Sequence, residues 1–283
     1  MSALARVEPF GDGLSAGNFE MLAKFIYDYS GIKMPPTKRT MLEGRLRKRL
    51  RHTGAASLDD YCDYLFKRDG LKAETIHLID CVTTNKTDFF REPNHFEFMV
   101  RSALPGFAAD GVRTIRIWSS ACSTGAEPYT IAMLLADFAR KNEVVDYKIL
   151  ATDLSTDVLR KAHAGVYSQE LLQPVPAELM RRYVTRSIDP SRREMRIVPF
   201  LRAKVGFARF NLMDQTYAVG EPFHMIFCRN VLIYFDKQTQ AHVLRELCKN
   251  LLPGGYLFIG HSESIAGIDL PVRQVANTVF KKI

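Results

Sequence analysis

The sequence predicts an α/β fold, in which a doubly wound sheet follows a small all-helical N-terminal domain and carries an inserted β-subdomain. Apolar residues recur with a helical period over the first ~80 residues. After residue 93, apolar β-branched runs alternate with helical stretches, as in parallel strands joined by crossover helices. One stretch rich in proline and arginine, 165–204, interrupts this alternation. The 283 residues suffice for one large domain or two modest ones.

The helical N-terminal domain is predicted over residues 18–80. Residues 1–17 are glycine-rich and aperiodic, so we expect a disordered tail there. From residue 18, apolar side chains follow a helical period up to Gly31, a typical helix stop. Three further helices are predicted at about 37–52, 58–68 and 72–80. A linker, residues 81–92, then leads to the α/β domain.

The α/β domain is predicted over residues 93–283. Its strands are predicted at Arg113–Ser119, Tyr147–Thr152, Val205–Phe210, His224–Cys228 and Tyr256–Gly260, and its helices at about 127–141, 155–163 and 236–252. The inserted β-subdomain, at about 165–204, should contain a short helix at about 176–183 and an antiparallel hairpin with Met195–Val198 as one arm. Pro253-Gly254-Gly255 predicts a tight turn before the last strand.

Composition excludes several classes of protein. No apolar run approaches the ~20 residues of a membrane span, and the N-terminus has no secretory pattern, so we expect no membrane insertion. The five cysteines are odd in number and show no ligand spacing, which favours a cytoplasmic protein without disulfides or a metal. A net charge of +8 is compatible with nucleic acid, an anionic surface or an acidic protein as partner.

Ligands of open α/β sheets bind beyond the carboxyl ends of the strands, and a turn of small residues follows the first predicted strand. This turn has only Gly125 as its glycine, unlike the glycine-rich turn that binds a dinucleotide pyrophosphate. Glu127 would repel a phosphate but suits a cationic group such as an ammonium. The alternative is that Glu127 is only a favourable acid in the first turn of a helix.

Polar residues also follow the other strands. Asp153 could accept hydrogen bonds from both hydroxyls of a ribose, or it could simply cap the next helix. Asn211 and Leu212 could hold the edge and face of an adenine, although asparagine is also common in turns. Arg229 and Asn230 directly follow the apolar fourth strand, a position typical of an active site.

Several long segments resemble the CheR family, the chemotaxis receptor methyltransferases. The resemblance rests on TTNKTDFFRE (83–92), STGAEPY (123–129), CRNVLIYFD (228–236) and GHSES (260–264), which occur in the family's order. It extends from about residue 19 to the end of the chain. The turn at Pro253-Gly254-Gly255 also resembles one common in class I methyltransferases.

This resemblance implies the class I S-adenosylmethionine-dependent methyltransferase fold. It implies methyl transfer from that cofactor to glutamate side chains of bacterial chemoreceptors, giving glutamyl methyl esters and S-adenosylhomocysteine in chemotactic adaptation. The cofactor contacts that it implies are Asn85, Thr87, Arg91, Glu127, Asp153, Asn211, Leu212, Arg229 and Asn230. Some members also bind a tethering peptide through a glycine-containing loop of the β-subdomain, but residues 186–193 contain no glycine, so we expect no tethering here.

The implied reaction requires no general base. The leaving group departs neutral, and a glutamate with an ordinary pKa of ~4.3 is already an anion. We therefore expect positioning groups only, namely Arg91, whose fork can hold a carboxylate, and Tyr234, which can donate one hydrogen bond. The alternative for Tyr234 is a core aromatic residue.

One predicted helix is strongly basic. Between Lys38 and Arg51 it has seven basic residues against one acid, Glu43. Such an excess of one sign differs from a mixed solvated face, and we expect it to dock an acidic receptor helix. The residues predicted to dock are Arg45, Arg47, Lys48 and Arg51. A plain solvated face is the alternative.

Three other functions remain open on the sequence. A nucleic-acid methyltransferase fits the basic charge, but the fourth strand lacks the Asn/Asp-Pro-Pro-aromatic turn of amino-directed DNA enzymes. A non-catalytic module that binds the cofactor in signalling is less consistent with the intact polar set. A nicotinamide oxidoreductase is disfavoured by the single-glycine turn and by Glu127. We expect a monomer whose partners are the cytoplasmic helices of receptors, without nucleic acid.

Overall fold

The computed structural model describes residues 13–142, 146–189, 191 and 193–283. The chain divides into two compact units between Thr83 and Thr84, inside the predicted linker. No helix within these described ranges is both long enough and apolar enough to span a bilayer.

The first unit contains four α-helices. These are α1 (Ala16–Ser30), α2 (Arg39–Thr53), α3 (Leu58–Lys67) and α4 (Leu71–Val82), with a 3₁₀ turn at Pro36–Lys38. Residues 1–17 were predicted to be a disordered tail. Residues 1–12 of it lie outside the described residues, and for residues 13–17 the prediction is wrong. Leu14 is buried, and Ser15 caps α1 by accepting the Asn18 N–H, so the helix begins two residues earlier than predicted.

A buried ion pair fixes α2 to its neighbours in this unit. Arg49 donates to both carboxylate oxygens of Glu74 at 2.9 and 2.6 Å, and the Tyr61 hydroxyl on α3 donates to the same carboxylate at 3.0 Å. The two charged side chains are only 14% and 6% exposed. With Leu42 and Leu46 fully buried on the same helix, the opposite face of α2 is left to solvent.

The second unit is an α/β domain with an additional small sheet. Its elements are α5 (Pro93–Phe98), α6 (Leu104–Ala109), β1 (Thr114–Ser119), α7 (Ala126–Lys141), β2 (Asp146–Asp153), α8 (Thr156–Ala164), β3 (Val166–Ser168), α9 (Ala177–Tyr183), β4 (Val184–Arg186), β5 (Glu194–Ile197), α10 (Pro199–Arg202), β6 (Val205–Arg209), β7 (Phe223–Cys228), α11 (Lys237–Lys249), β8 (Leu251–Ile259), β9 (Val272–Ala276) and β10 (Val279–Lys282). A π-helical turn, Met99–Ala103, joins α5 to α6.

The large sheet confirms the predicted doubly wound topology. Its strand order is β6-β2-β1-β7-β8-β10-β9, and the first five strands of that order are parallel. Chain order proceeds outward from β1 in both directions, so the topological switch point lies beside β1. The antiparallel β9–β10 hairpin at one edge and the α5–α6 segment were not predicted.

Two local predictions differ from the structure. The tight turn predicted at Pro253-Gly254-Gly255 lies within β8, which begins at Leu251 and not at the predicted Tyr256. Gly254, with φ +74°, lies opposite a register shift between Phe223 and Met225, so the irregularity is a bulge inside the strand.

The inserted β-subdomain is a three-stranded antiparallel sheet rather than the predicted hairpin, with the order β3-β5-β4. The arm predicted at Met195–Val198 corresponds to β5. The additional strand, β3, has only three residues, Val166–Ser168, which is too short for a period of two to show in the sequence.

Aromatic packing connects α5 to the centre of the large sheet. Phe227 on β7 and Phe258 on β8 stack with centroids 4.2 Å apart, and Phe96 of α5 stacks on Phe227 at 6.2 Å. All three rings are buried. The segment that precedes α5 is therefore brought to the carboxyl end of β7.

The ion pair in the helical unit yields a stability prediction. Arg49→Gln should destabilise the chain by about 3 kcal/mol, because the buried Glu74 carboxylate loses its partner. Lys48→Gln, at the adjacent exposed position of α2, should change the free energy of unfolding by less than about 0.5 kcal/mol. Urea unfolding followed by circular dichroism measures both variants.

The difference between wild type and Arg49→Gln should also depend on pH. Burial opposes ionisation of Glu74, but the bonds from Arg49 and Tyr61 hold its pKa below the ordinary value. The extra stability is therefore present above the unfolded pKa of ~4.3 and lost as the pH falls through the folded pKa. Equal effects of the two variants, or a gap that persists in acid, would contradict this account.

Candidate active site

Polar side chains converge where β1, β2 and β7 end. Ser119, the last residue of β1, donates its hydroxyl to one oxygen of Glu127 at 2.7 Å. Arg229, the first residue after β7, donates to the other oxygen at 3.0 Å. Glu127 stands in the first turn of α7 and its side chain is 12% exposed. The strand ends thus hold an acid whose two oxygens are both oriented by neighbours.

Arg229 is the most buried charge of the site, with a side chain only 2% exposed. Its second terminal nitrogen donates to the Arg91 carbonyl at 2.5 Å and to Glu92 at 3.0 Å. The guanidinium also lies 5.3 Å from the centroid of the Phe96 ring. Arg229 therefore bridges two carboxylates, Glu92 and Glu127, that are far apart in the sequence.

Glu92 closes this network from the segment before α5. One of its oxygens accepts from the Asn230 side-chain amide at 2.9 Å, and the other accepts from Arg229. Burial opposes its ionisation, but these partners lower the pKa of Glu92 to about 2. At neutral pH Glu92 is an anion. In this state it accepts hydrogen bonds from Arg229 and Asn230, the two residues that follow β7.

Burial acts on the other titratable groups of the cluster. It raises the pKa of Glu127, although Arg229 and Ser119 oppose that shift. Burial and the neighbouring Arg229 charge lower the pKa of His95 to about 4, so this imidazole is neutral at pH 7. Its Nδ1 lies 3.5 Å from a Glu92 oxygen. Two acidic side chains, Glu92 and Glu127, therefore share one basic side chain, Arg229, in this cluster.

The turn after β1 is tied to β2 and to the segment before α5. The Ser123 N–H donates to Asp153 at 2.8 Å, and the Ser123 hydroxyl donates to the Asn85 carbonyl at 2.9 Å. The second Asp153 oxygen accepts the Ser155 N–H at 3.0 Å, at the start of α8. Asp153 thus forms a local turn ahead of α8, whose N-cap is Ser155 and has no side-chain cap, so the predicted capping role is not observed.

Strained backbone concentrates at this site. Of the six non-glycine residues with positive φ in the described part of the chain, four are Phe90, Glu92, Ser123 and Asn230. Each such residue costs about 1–3 kcal/mol and persists only where its surroundings determine it, typically at functional sites. The hydrogen bonds of Glu92, Ser123 and Asn230 hold these residues in their strained conformations.

Glu263 supports the loop after β7 and was not predicted as a site residue. This buried carboxylate accepts the N–H groups of Asn230, Leu232 and Gly260 at 3.0, 2.8 and 2.5 Å. Burial raises its pKa although the three donors oppose the shift. The only sequence signal was an acid directly after a predicted strand, in the GHSES segment.

The other predicted site residues differ in their contacts and in their exposure. Arg91 is half-buried and donates to the Lys86 carbonyl at 3.1 Å. Tyr234 ends a 3₁₀ turn and is half-buried. Asn211 accepts the Met213 N–H at 3.0 Å in a local turn, whereas Leu212 is buried. Thr87 is half-buried.

A potential cation site also occurs in this cluster. Ligand atoms of Glu92, His95 and His261 lie within 4.8 Å of one another. However, Glu92 already accepts from the Arg229 guanidinium and from Asn230. A bound metal would have to share this carboxylate with a buried arginine, so the geometry favours the guanidinium as its cation.

Comparison with known proteins extends over both units. The family model for the CheR methyltransferase SAM-binding domain matches residues 85–280, and that for the CheR methyltransferase all-alpha domain matches residues 17–83. The two matches meet where the structure divides the chain.

Characterised relatives have similar length. The chemotaxis protein methyltransferase of Borreliella burgdorferi is 38% identical over 251 residues, 87% of this chain and 87% of the relative. That of Klebsiella aerogenes is 39% identical over 269 residues, 94% and 90% of the two chains. That of Escherichia coli K12 is 37% identical over 271 residues, 94% and 91% of the two chains.

Proposed function

The chain belongs to the CheR methyltransferase family, and on that premise we propose that it transfers the methyl group of S-adenosylmethionine to glutamate side chains of bacterial chemoreceptors. The products are glutamyl methyl esters and S-adenosylhomocysteine, in the service of chemotactic adaptation. The family resemblance predicted from the sequence is confirmed by both domain matches. The observation that carries the proposal is the net negative cluster at the strand ends of a SAM-binding domain.

The residues of this cluster fit the cofactor by charge. S-adenosylmethionine carries a sulfonium, an ammonium and a carboxylate, so its net charge is positive, opposite to that of the Glu92–Arg229–Glu127 cluster. Glu127 would accept from the ammonium and Asp153 from the ribose hydroxyls. Asn85, Thr87, Arg91, Asn211, Leu212, Arg229 and Asn230 would complete the contacts.

The chain itself has little chemistry to perform. The cofactor supplies a methyl group on a positively charged sulfur, which makes an already ionised glutamate a sufficient nucleophile. Arg91 and Tyr234 would position that glutamate, and the half-buried Arg91 side chain is suited to a bidentate carboxylate contact. Positioning and exclusion of water then account for the rate.

We further propose that the exposed face of α2 docks the acidic receptor helix. Arg47, Lys48 and Arg51 are exposed on the face opposite Leu42 and Leu46. Arg45 differs from the predicted docking role, since its guanidinium donates to the last carbonyls of α4, Val82 and Thr83, at 2.6 and 3.0 Å. The docking set is therefore reduced to the first three residues.

Methylation of receptor-containing membranes with radiolabelled S-adenosylmethionine tests the reaction. We expect a base-labile label on receptor protein, as carboxyl methyl esters give. Arg91→Ala should retain its circular dichroism spectrum and lose about hundredfold in kcat, the scale of a misplaced reactant. Arg101→Ala, whose side chain is 80% exposed, serves as the control. A base-stable label on nucleic acid, or near-normal kcat in Arg91→Ala, would contradict the proposal or the role of Arg91, respectively.

Charge reversal on α2 tests the docking surface. The double variant Arg47→Glu/Arg51→Glu should raise KM for receptor by about tenfold at low salt, with a smaller effect at high salt, because exposed charges are screened. Its affinity for S-adenosylmethionine should not change. Lys24→Glu/Lys67→Glu alters the net charge equally on α1 and α3 and is the matched control. An equal effect of both double variants would remove α2 as the docking surface.

A further inference from the structure

The charges around Arg229 do not balance. Its two terminal nitrogens each donate to a different carboxylate, Glu127 and Glu92, and both donor–acceptor distances are 3.0 Å. All three side chains are largely buried, with exposures of 2, 12 and 13%. One guanidinium can neutralise one carboxylate, so the second leaves one negative charge inside the site.

Glu92 carries the second negative charge, and no neighbouring group protonates it at neutral pH. Its polar partners are Arg229, the Asn230 amide and the His261 backbone N–H, and its pKa is held far below neutrality. His95, directly beside it, is neutral at pH 7. The negative charge of Glu92 is therefore constant across the physiological pH range.

Loss of the Glu92 charge would change what Arg229 does to Glu127. With two anionic partners the guanidinium is shared, whereas with one it would neutralise Glu127 alone. Charges in a site of low exposure are weakly screened. Loss of the Glu92 charge would therefore weaken the electrostatic attraction for any cation bound nearby.

We propose that Glu92 is a positioning residue that, through Arg229, raises the affinity of the site for the sulfonium donor relative to its affinity for the neutral thioether product. The inference rests on the proposed function, because it concerns how the same site distinguishes S-adenosylmethionine from S-adenosylhomocysteine. Glu92 belongs to the TTNKTDFFRE segment but was not among the predicted site residues.

The two ligands make a specific comparison possible. They share the adenosine, the ammonium and the carboxylate, and they differ by one methyl group and one positive charge at sulfur. Damage to the shape of the site should weaken both ligands equally. Loss of a negative charge should weaken the sulfonium form more.

Isothermal titration calorimetry of Glu92→Gln with each ligand tests the inference. This substitution preserves the side-chain shape and removes the charge. We expect the ratio of Kd for S-adenosylmethionine to Kd for S-adenosylhomocysteine to rise about tenfold over wild type, as loss of one weakly screened charge predicts. Glu97→Gln, an exposed acid on the same helix segment, should leave the ratio unchanged.

A second variant distinguishes the loss of charge from a change in the shape of the site. Glu92→Asp retains the charge on a shorter stem, so its ratio should stay near that of wild type even if both affinities fall. A Glu92→Gln variant whose two affinities fall by the same factor, or remain unchanged, overturns the inference and leaves the proposed function intact. Wild-type protein that binds neither ligand overturns the proposed function as well.

Discussion

A single buried guanidinium, that of Arg229, determines how this active site is built. Removing this guanidinium would leave two buried carboxylates without a compensating charge, and breaking a buried ion pair typically costs about 3–5 kcal/mol. Glu127 and Glu92 must therefore both reach Arg229, one from the first turn of α7 and the other from the segment before α5. The positive φ values of Glu92 and Asn230 show the backbone strain that accompanies this convergence.

The parallel sheet makes this convergence possible. The carboxyl ends of β1, β2 and β7 meet beside the topological switch point. β1 and β2 end in the polar residues Ser119 and Asp153, and Arg229 directly follows β7. Glu263 then fixes the loop after β7 by accepting three backbone N–H groups. The resulting site is acidic and preorganised, which suits a cationic donor and an acceptor that is already ionised.

Sequence reasoning was most successful where periodicity and burial agree. The five parallel strands were predicted because each is an apolar run followed by a change of period. Glu127, Asp153, Arg229 and Asn230 were predicted as site residues because they follow such runs. Strand β3 was missed since three residues show no period. Glu92 and Glu263 were missed because their partners are 137 and 33 residues away, and no local pattern reports such a pairing.

A crystal structure of the chain with S-adenosylhomocysteine tests the central claim most directly. We expect the product's ammonium on Glu127 and its ribose hydroxyls on Asp153, with Arg229 still held between Glu127 and Glu92. Product bound away from these strand ends, or Arg229 withdrawn from both carboxylates in the complex, would contradict the account.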